Sequence, residues 1–175
     1  MANILIVYAT TDGHTREICQ RLKPVIEQQG HRGMLLSIDD EADADMKQFD
    51  KIVLGASIRY GKHGKKVYAF VKNYERILDA KPNAFFSVNV VARKPEKSQP
   101  ETNPYLMKFL KQISWQPKEL AVFAGKIDYQ MYRFWDRQMI RLIMWMTKGP
   151  TNPKTVIEYT GWKQVEAFGQ RISNM

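Results

Sequence analysis

With a single cysteine, Cys19, the chain can form no internal disulfide, and a reducing compartment is expected. Cys19 lies on the apolar side of a helical pattern, which makes it a core residue rather than a reactive thiol. No uninterrupted apolar stretch reaches the roughly eighteen residues that a membrane-spanning helix needs. Met1-Ala2-Asn3 leads straight into an apolar run without a charged leader or cleavage site, so no signal peptide is expected. Repeats and low-complexity tracts are absent. No Gly-Lys-Ser/Thr follows the first strand pattern, which excludes a Walker A loop, and the spaced glycines of a dinucleotide fingerprint are missing too.

Acidic residues are also short, at 18 Asp+Glu against 27 Lys+Arg. The excess is uneven. Residues 1–90 carry 13 basic against 11 acidic residues, whereas 91–150 carry 11 against 5. A positive patch of this kind implies an anionic partner: phospholipid, nucleic acid or a carboxylate-bearing substrate. The length of 175 residues and the 44% hydrophobic content fit one globular domain over 1–175.

Strand and helix patterns alternate along the chain, which predicts a parallel sheet covered on both faces. Strands are expected at Ile4–Val7, Gly33–Ile38, Lys51–Ser57, Ala84–Val90 and Leu120–Gly125. Helices are expected over 15–29, where Pro24 should disturb the backbone, over 64–78, and from Asn103-Pro104 onward, with Pro at the first helical position. A last helix begins at Thr160, its expected cap. The acidic stretch Asp39 to Asp45 reads as a solvated loop. This order resembles a flavodoxin-like, doubly wound, five-stranded α/β sheet of order 2-1-3-4-5. Its ligand belongs beyond the carboxyl ends of the strands, at the switch between the first and third.

Three loops meet there. The first, Thr10-Thr11-Asp12-Gly13-His14-Thr15, joins a buried strand to a helix N-terminus, where unpartnered amides, the helix dipole and Thr hydroxyls suit a phosphate monoester. By itself it also fits an ordinary strand-to-helix turn with Thr15 as the cap. The second, Ser57-Ile58-Arg59-Tyr60-Gly61-Lys62-His63-Gly64, offers glycines for close approach to a planar ligand and Tyr60 for stacking on a flavin ring. The third, Asn89-Val90-Val91-Ala92-Arg93-Lys94-Pro95-Glu96-Lys97, offers amides to a ring edge, with Arg93, Lys94 and Lys97 facing a charged substrate or membrane.

An insert follows the fifth strand at about 126–150. Met131, Trp135, Met139, Leu142 and Met146 fall on one helical face, opposite Arg133, Arg137, Arg141 and Lys148, at roughly 100° per residue. A basic amphipathic helix over 131–148 suits an anionic membrane surface. A helix packed on the domain body, with a solvated basic face, fits the same pattern. Ile140 and Met144 on the basic side suggest some exposed apolar contact.

Taken together, Gly55-Ala56-Ser57-Ile58-Arg59-Tyr60-Gly61, the segment Ser87–Lys97 and Tyr132-Arg133-Phe134-Trp135-Asp136-Arg137 with Met139–Met144 resemble the menaquinone-dependent protoporphyrinogen oxidases of bacterial haem biosynthesis. The resemblance spans nearly the whole chain. It departs from the family's pattern at His14, where an imidazole still offers a donor. It implies FMN-dependent oxidation of protoporphyrinogen IX to protoporphyrin IX, removing six electrons in three two-electron steps, with electrons passed to a membrane quinone, menaquinone or ubiquinone. The implied FMN residues are Thr10, Thr11, Asp12, Gly13, His14 and Thr15 at the phosphate, and Ser57, Ile58, Arg59, Tyr60 and Gly61 on one side of the ring. Asn89, Val90, Val91 and Ala92 stand near its other edge. Arg93, Lys94, Arg133 and Arg137 are candidates for the substrate propionates or lipid phosphates, and no general base is nominated because the flavin carries the chemistry. No metal and no nucleic acid are expected. A peripheral position on the cytoplasmic face of the inner membrane follows from the resemblance, with homo-oligomerisation left open. Rival readings are a flavodoxin-type carrier, which the positive charge opposes, an NAD(P)H:quinone reductase, and a non-enzymatic membrane- or nucleic-acid-binding module.

Overall fold

A computed structural model of the protein describes residues 1–41 and 44–175. Five parallel strands, β1 (Asn3–Ala9), β2 (Arg32–Ser37), β3 (Lys51–Arg59), β5 (Asn83–Asn89) and β6 (Glu119–Ala124), form the sheet together with a sixth, short antiparallel strand, β4 (Lys62–His63), hairpinned to β3. Their order, β2-β1-β3-β5-β6, is the order expected from the sequence, with β4 lying off this path. Helices α1 (His14–Gln28), α2 (Lys65–Ala80), α3 (Pro104–Gln112), α4 (Phe134–Met146) and α5 (Trp162–Asn174) complete the framework.

Strand alternation divides the core in two. Ile4 and Ile6 of β1 point to the face holding Ile18 and Leu22 of α1 and Phe168 of α5, whereas Leu5 and Val7 point to Phe70 of α2 and Phe109 of α3. All of these side chains are buried, and each contributes roughly 1.5–3 kcal/mol by leaving water. Cys19 is one of them, and burial pushes its thiol pKa up, as a core role requires. Gly55 of β3 has a steric reason: a Cβ there would sit 2.0 Å from the Phe86 ring.

Several local expectations shift. Pro24 lies inside α1 without ending it. Its lost hydrogen bond costs about 3 kcal/mol, and fully buried Leu22 and Ile26 on either side offset that by packing. Asn103 caps α3 as expected, its side chain accepting from the Tyr105 and Leu106 amides, with Pro104 at the first position. The helix stops at Gln112, so Ile113 is extended. α5 starts from Gly161 rather than from a Thr160 cap, because the Thr160 hydroxyl is engaged elsewhere. Within the acidic stretch, Asp39 and Asp40 are exposed and enter a 3-10 turn; its residues 42 and 43 lie outside the described residues. Lys51 is buried at the end of α5, where its ammonium donates to the carbonyls of Ile172 and Ser173.

After β6 the chain leaves the sheet. A ribbon of β7 (Lys126–Asp128) and β8 (Val156–Glu158) brackets α4, so this excursion continues past residue 150 to Glu158. α4 ends with Lys148 in the left-handed region, φ 57°. The Gly149 amide reaches back to Met144 O and the Lys148 amide to Trp145 O, which closes the helix C-terminus.

Candidate active site

The carboxyl ends of β1, β3 and β5 open into one cleft, lined by the β1–α1 loop, the β3–β4 hairpin and the segment after β5. Gly13, at φ 89°, turns the chain into α1, and its amide donates to the Thr10 hydroxyl. The first-turn amides that follow have no intrahelical acceptors. Thr15 is fully buried, and its hydroxyl has no hydrogen-bond partner although the residue lines the cleft. A buried hydroxyl without a partner at a helix N-terminus fits an anionic ligand oxygen. Thr10, Thr11 and Asp12 line the same end, while Gly13 contributes geometry rather than lining.

His14 corrects its expectation as a phosphate donor. It is buried, with Nδ1 3.0 Å from Glu17 Oε2 and Nε2 2.6 Å from the Thr160 hydroxyl, which itself donates to Ala124 O. Both ring nitrogens are spent on fastening the loop to the chain after β6. Burial pushes the Asp12 carboxyl pKa up, and the Arg59 guanidinium, 3.5 Å away, partly offsets this.

β3 runs two residues past the expected strand end at Ser57, taking in Ile58 and Arg59 of the expected loop. Ile58 pairs with His63 and Arg59 with Lys62 across a two-residue turn. Both turn residues have positive φ, Tyr60 at 51° and Gly61 at 76°, as a twist-matched hairpin turn demands. A tyrosine rarely adopts that conformation, and here its hydroxyl donates to Asp136 of α4. That bond raises the phenol pKa. Beneath the hairpin, buried His63 donates through Nδ1 to Ser57 O at 3.2 Å. Burial lowers its pKa to about 4.

The segment after β5 is held by paired amides. Asn89 and Asn103 exchange side-chain hydrogen bonds, and the Asn89 carbonyl group accepts from the Ala92 amide. Ala92 is therefore buried in the core with its donor used, which corrects its place at a ring edge. Val90 and Val91 do line the cleft beside Asn89. Arg93 donates to Val90 O and to both the carbonyl and the hydroxyl of Thr147, tying this segment to the end of α4. Lys94 begins the next turn, outside the cleft lining.

The structure turns the basic side of α4 inward, against the alternative of a helix packed on the domain with a solvated basic face. Arg137 donates to Tyr129 O at 2.9 Å and to Tyr132 O, and Arg141 donates to Thr151 O at 2.8 Å. The basic side thus faces the domain, with Met144 buried and Ile140 partly buried, rather than offering exposed apolar contact there. Ile140, Ile143 and Met144 wall the cleft. Trp135, Met139, Leu142, Trp145 and Met146 face outward, with Trp135 79% and Trp145 72% exposed. Arg93 and Arg137 are occupied by backbone carbonyls, and Arg133, exposed at the start of α4, keeps its guanidinium outside the cleft.

The flavodoxin domain family matches residues 5–154. Over 98% of this chain and 94% of its own length, the protoporphyrinogen IX dehydrogenase (quinone) of Escherichia coli K12 is 41% identical. A protein of the same name from Leishmania major is 41% identical over 94% of this chain and 71% of its own. The chain belongs to the protoporphyrinogen IX dehydrogenase (quinone) family. Among solved structures, a flavodoxin-like WrbA-like protein from Agrobacterium tumefaciens shares the fold, with a TM-score of 0.57 at 14% identity over 99% of this chain and 96% of that one.

Membership of this flavodoxin-domain dehydrogenase family brings a flavin cofactor, and the cleft residues fit one. Thr15 and the loop amides would meet an anionic end, and the Tyr60 hairpin with Val90 and Val91 would flank a flat ring. Among the lining residues that the sequence did not assign to the site are Tyr105, Tyr132 and Met144. For Tyr105 a signal existed in the Asn103-Pro104 helix start. The other two reach the cleft only because the insert folds back over it.

Proposed function

We propose that this dehydrogenase-family protein oxidises protoporphyrinogen IX to protoporphyrin IX, using FMN as its flavin and a membrane quinone as electron acceptor. Six electrons leave each porphyrinogen in three two-electron steps, and three quinones become quinols. A flavin bound there would supply the redox chemistry, the two-electron oxidation of the substrate and delivery of electrons to the quinone. The chain's residues bind, orient and shield. Thr15 and the first-turn amides of α1 hold a phosphate dianion, favoured there by the helix dipole. The hairpin at Tyr60 and the Val90–Val91 backbone set the ring plane, while Ile140, Ile143 and Met144 keep bulk water from the cleft.

The observation that carries this reading is the two-sided character of α4. Its inner face walls the cleft, and its outer face exposes Trp135, Met139, Leu142, Trp145 and Met146 as one apolar stripe. Such a helix suits the plane between lipid headgroups and acyl chains. We place the protein peripherally on the cytoplasmic face of the inner membrane, where a lipophilic quinone is within reach. Among the described residues no helix is long and apolar enough to cross a membrane, in keeping with this arrangement.

Anaerobic mixing tests the reading. Protoporphyrinogen IX should bleach the bound flavin, and added quinone should restore it. A flavin bleached by NAD(P)H but not by the porphyrinogen would instead make the protein a reductase, and a flavin that ignores both would make it a carrier.

A further inference from the structure

The occupied guanidinium groups of Arg93 and Arg137 raise the question of where the carboxylates of a dicarboxylic tetrapyrrole would go. A second cleft, of about 750 Å³, lies on the side of the β3–β4 hairpin away from α4. It borders the first, and Thr10, Thr11, Ser57, Arg59 and Tyr60 line both. Four lysines from three elements face it: Lys62 of β4, Lys65 and Lys66 at the start of α2, and Lys108 of α3. Lys66 is paired with Asp39, and Asp40 and Glu41 stand near it. Lys62, Lys65 and Lys108 have no carboxylate within salt-bridge distance among the described residues. Gly64 caps α2 without a side chain, and the space beside its Cα is open. The helix's first amides and its dipole therefore add to the positive potential of the cleft.

We propose that Lys62, Lys65 and Lys108 bind the propionate carboxylates of the tetrapyrrole while its macrocycle lies over the flavin cleft across the hairpin. This inference rests on the reading above and assigns that substrate an orientation. The polarity matches on both sides. Protoporphyrinogen IX carries its two propionates on one edge and only methyl and vinyl groups on the other. The site is cationic on the Lys62 side of the hairpin and apolar on the α4 side, at Ile140, Ile143 and Met144. Tyr60, half-exposed at the hairpin tip, stands between the two.

The test uses flavin-loaded, full-length protein in detergent and the triple variant Lys62→Gln/Lys65→Gln/Lys108→Gln, with Lys72→Gln as an exposed control on α2. The triple variant should raise KM for the porphyrinogen about 5- to 10-fold, the scale of three exposed charge contacts, with kcat and flavin content unchanged. The dimethyl ester, which lacks the carboxylates, should show the same KM in all three proteins. An unchanged KM for the diacid in the triple variant would overturn the proposal. Tryptophan quenching by the redox-inert product, protoporphyrin IX against its dimethyl ester, reads the site without turnover. If the wild-type flavin ignores the porphyrinogen, the functional reading fails, and the quenching arm still decides the lysine site. Lysines that serve lipid would show as lost binding to phosphatidylglycerol vesicles with porphyrin binding intact, which also overturns it.

Discussion

Arg59 at the end of β3 reaches Asp136 in the first turn of α4 at 3.6 Å, while its other terminal nitrogen lies 3.5 Å from Asp12 in the β1–α1 loop. One guanidinium thus joins the β1–α1 loop, the hairpin and the insert. Tyr60 adds its hydroxyl to the same Asp136 carboxylate. Both ion pairs are partly exposed, so their contribution to global stability is small, about 0–1 kcal/mol. Their effect is local, on how firmly α4 covers the cleft.

Asp136→Asn should therefore loosen α4 with little change in Tm. Limited proteolysis checks this: cleavage within 131–148 should accelerate several-fold while the sheet stays resistant. Equal cleavage rates would mean that Arg137 and Arg141 alone hold the helix.

Those two arginines act differently from an exposed cation. Arg137→Ala strips its partner from Tyr129 O, and Arg141→Ala strips its partner from Thr151 O. Each should cost about 1–3 kcal/mol in urea unfolding. Arg133→Ala, on an exposed residue, should stay within about 0.5 kcal/mol. Similar losses for all three would refute the inward orientation of the basic face.

Thr15→Val isolates a hydroxyl that has no protein partner. The apoprotein should be as stable as the wild type or slightly more so, because a buried polar group is removed without breaking a bond. Flavin affinity should fall about tenfold, the worth of one hydrogen bond of about 1.4 kcal/mol. Fluorescence titration with FMN measures the second effect, and thermal unfolding of apoprotein the first.

His63 gives the fold an acid limb. Its folded pKa of about 4 lies below the ordinary 6.5, so the unfolded chain binds the proton more readily. The stability it contributes is complete above pH 6.5 and is lost as pH falls towards 4. The full difference is about 3 kcal/mol. His63→Gln should flatten this part of the stability profile, whatever it does to stability at neutral pH. An unchanged slope between those two values would show that other groups set the acid limb.

The sheet was legible because its strands are buried on both faces. Ile4-Leu5-Ile6-Val7 and Lys51-Ile52-Val53-Leu54 can be little else between turn residues, and Asn103-Pro104 marks a helix start through capping chemistry that is local. Pro24 misled because its penalty is local while the packing that offsets it comes from α5 and the sheet. The place of Thr10, Thr11 and Thr15 at the cleft was legible because the chemistry of a strand-to-helix turn is local. The role of His14 was not, since its partner Thr160 is 146 residues away.

The sequence by itself determined the α/β architecture, the position of the β1–α1 loop and the amphipathic character of 131–148. Periodicity and turn chemistry act within a few residues, so one strand of text contains them. Only the tertiary structure decided which face of α4 turns inward. An amphipathic pattern records that two faces differ, but the carbonyls of Tyr129, Tyr132 and Thr151 draw in the arginines and leave the tryptophans outside. It also gathered Lys62, Lys65 and Lys108 from separate elements into one cleft. Charge counts along a chain are blind to such convergence, because it depends on where the sheet brings distant segments together.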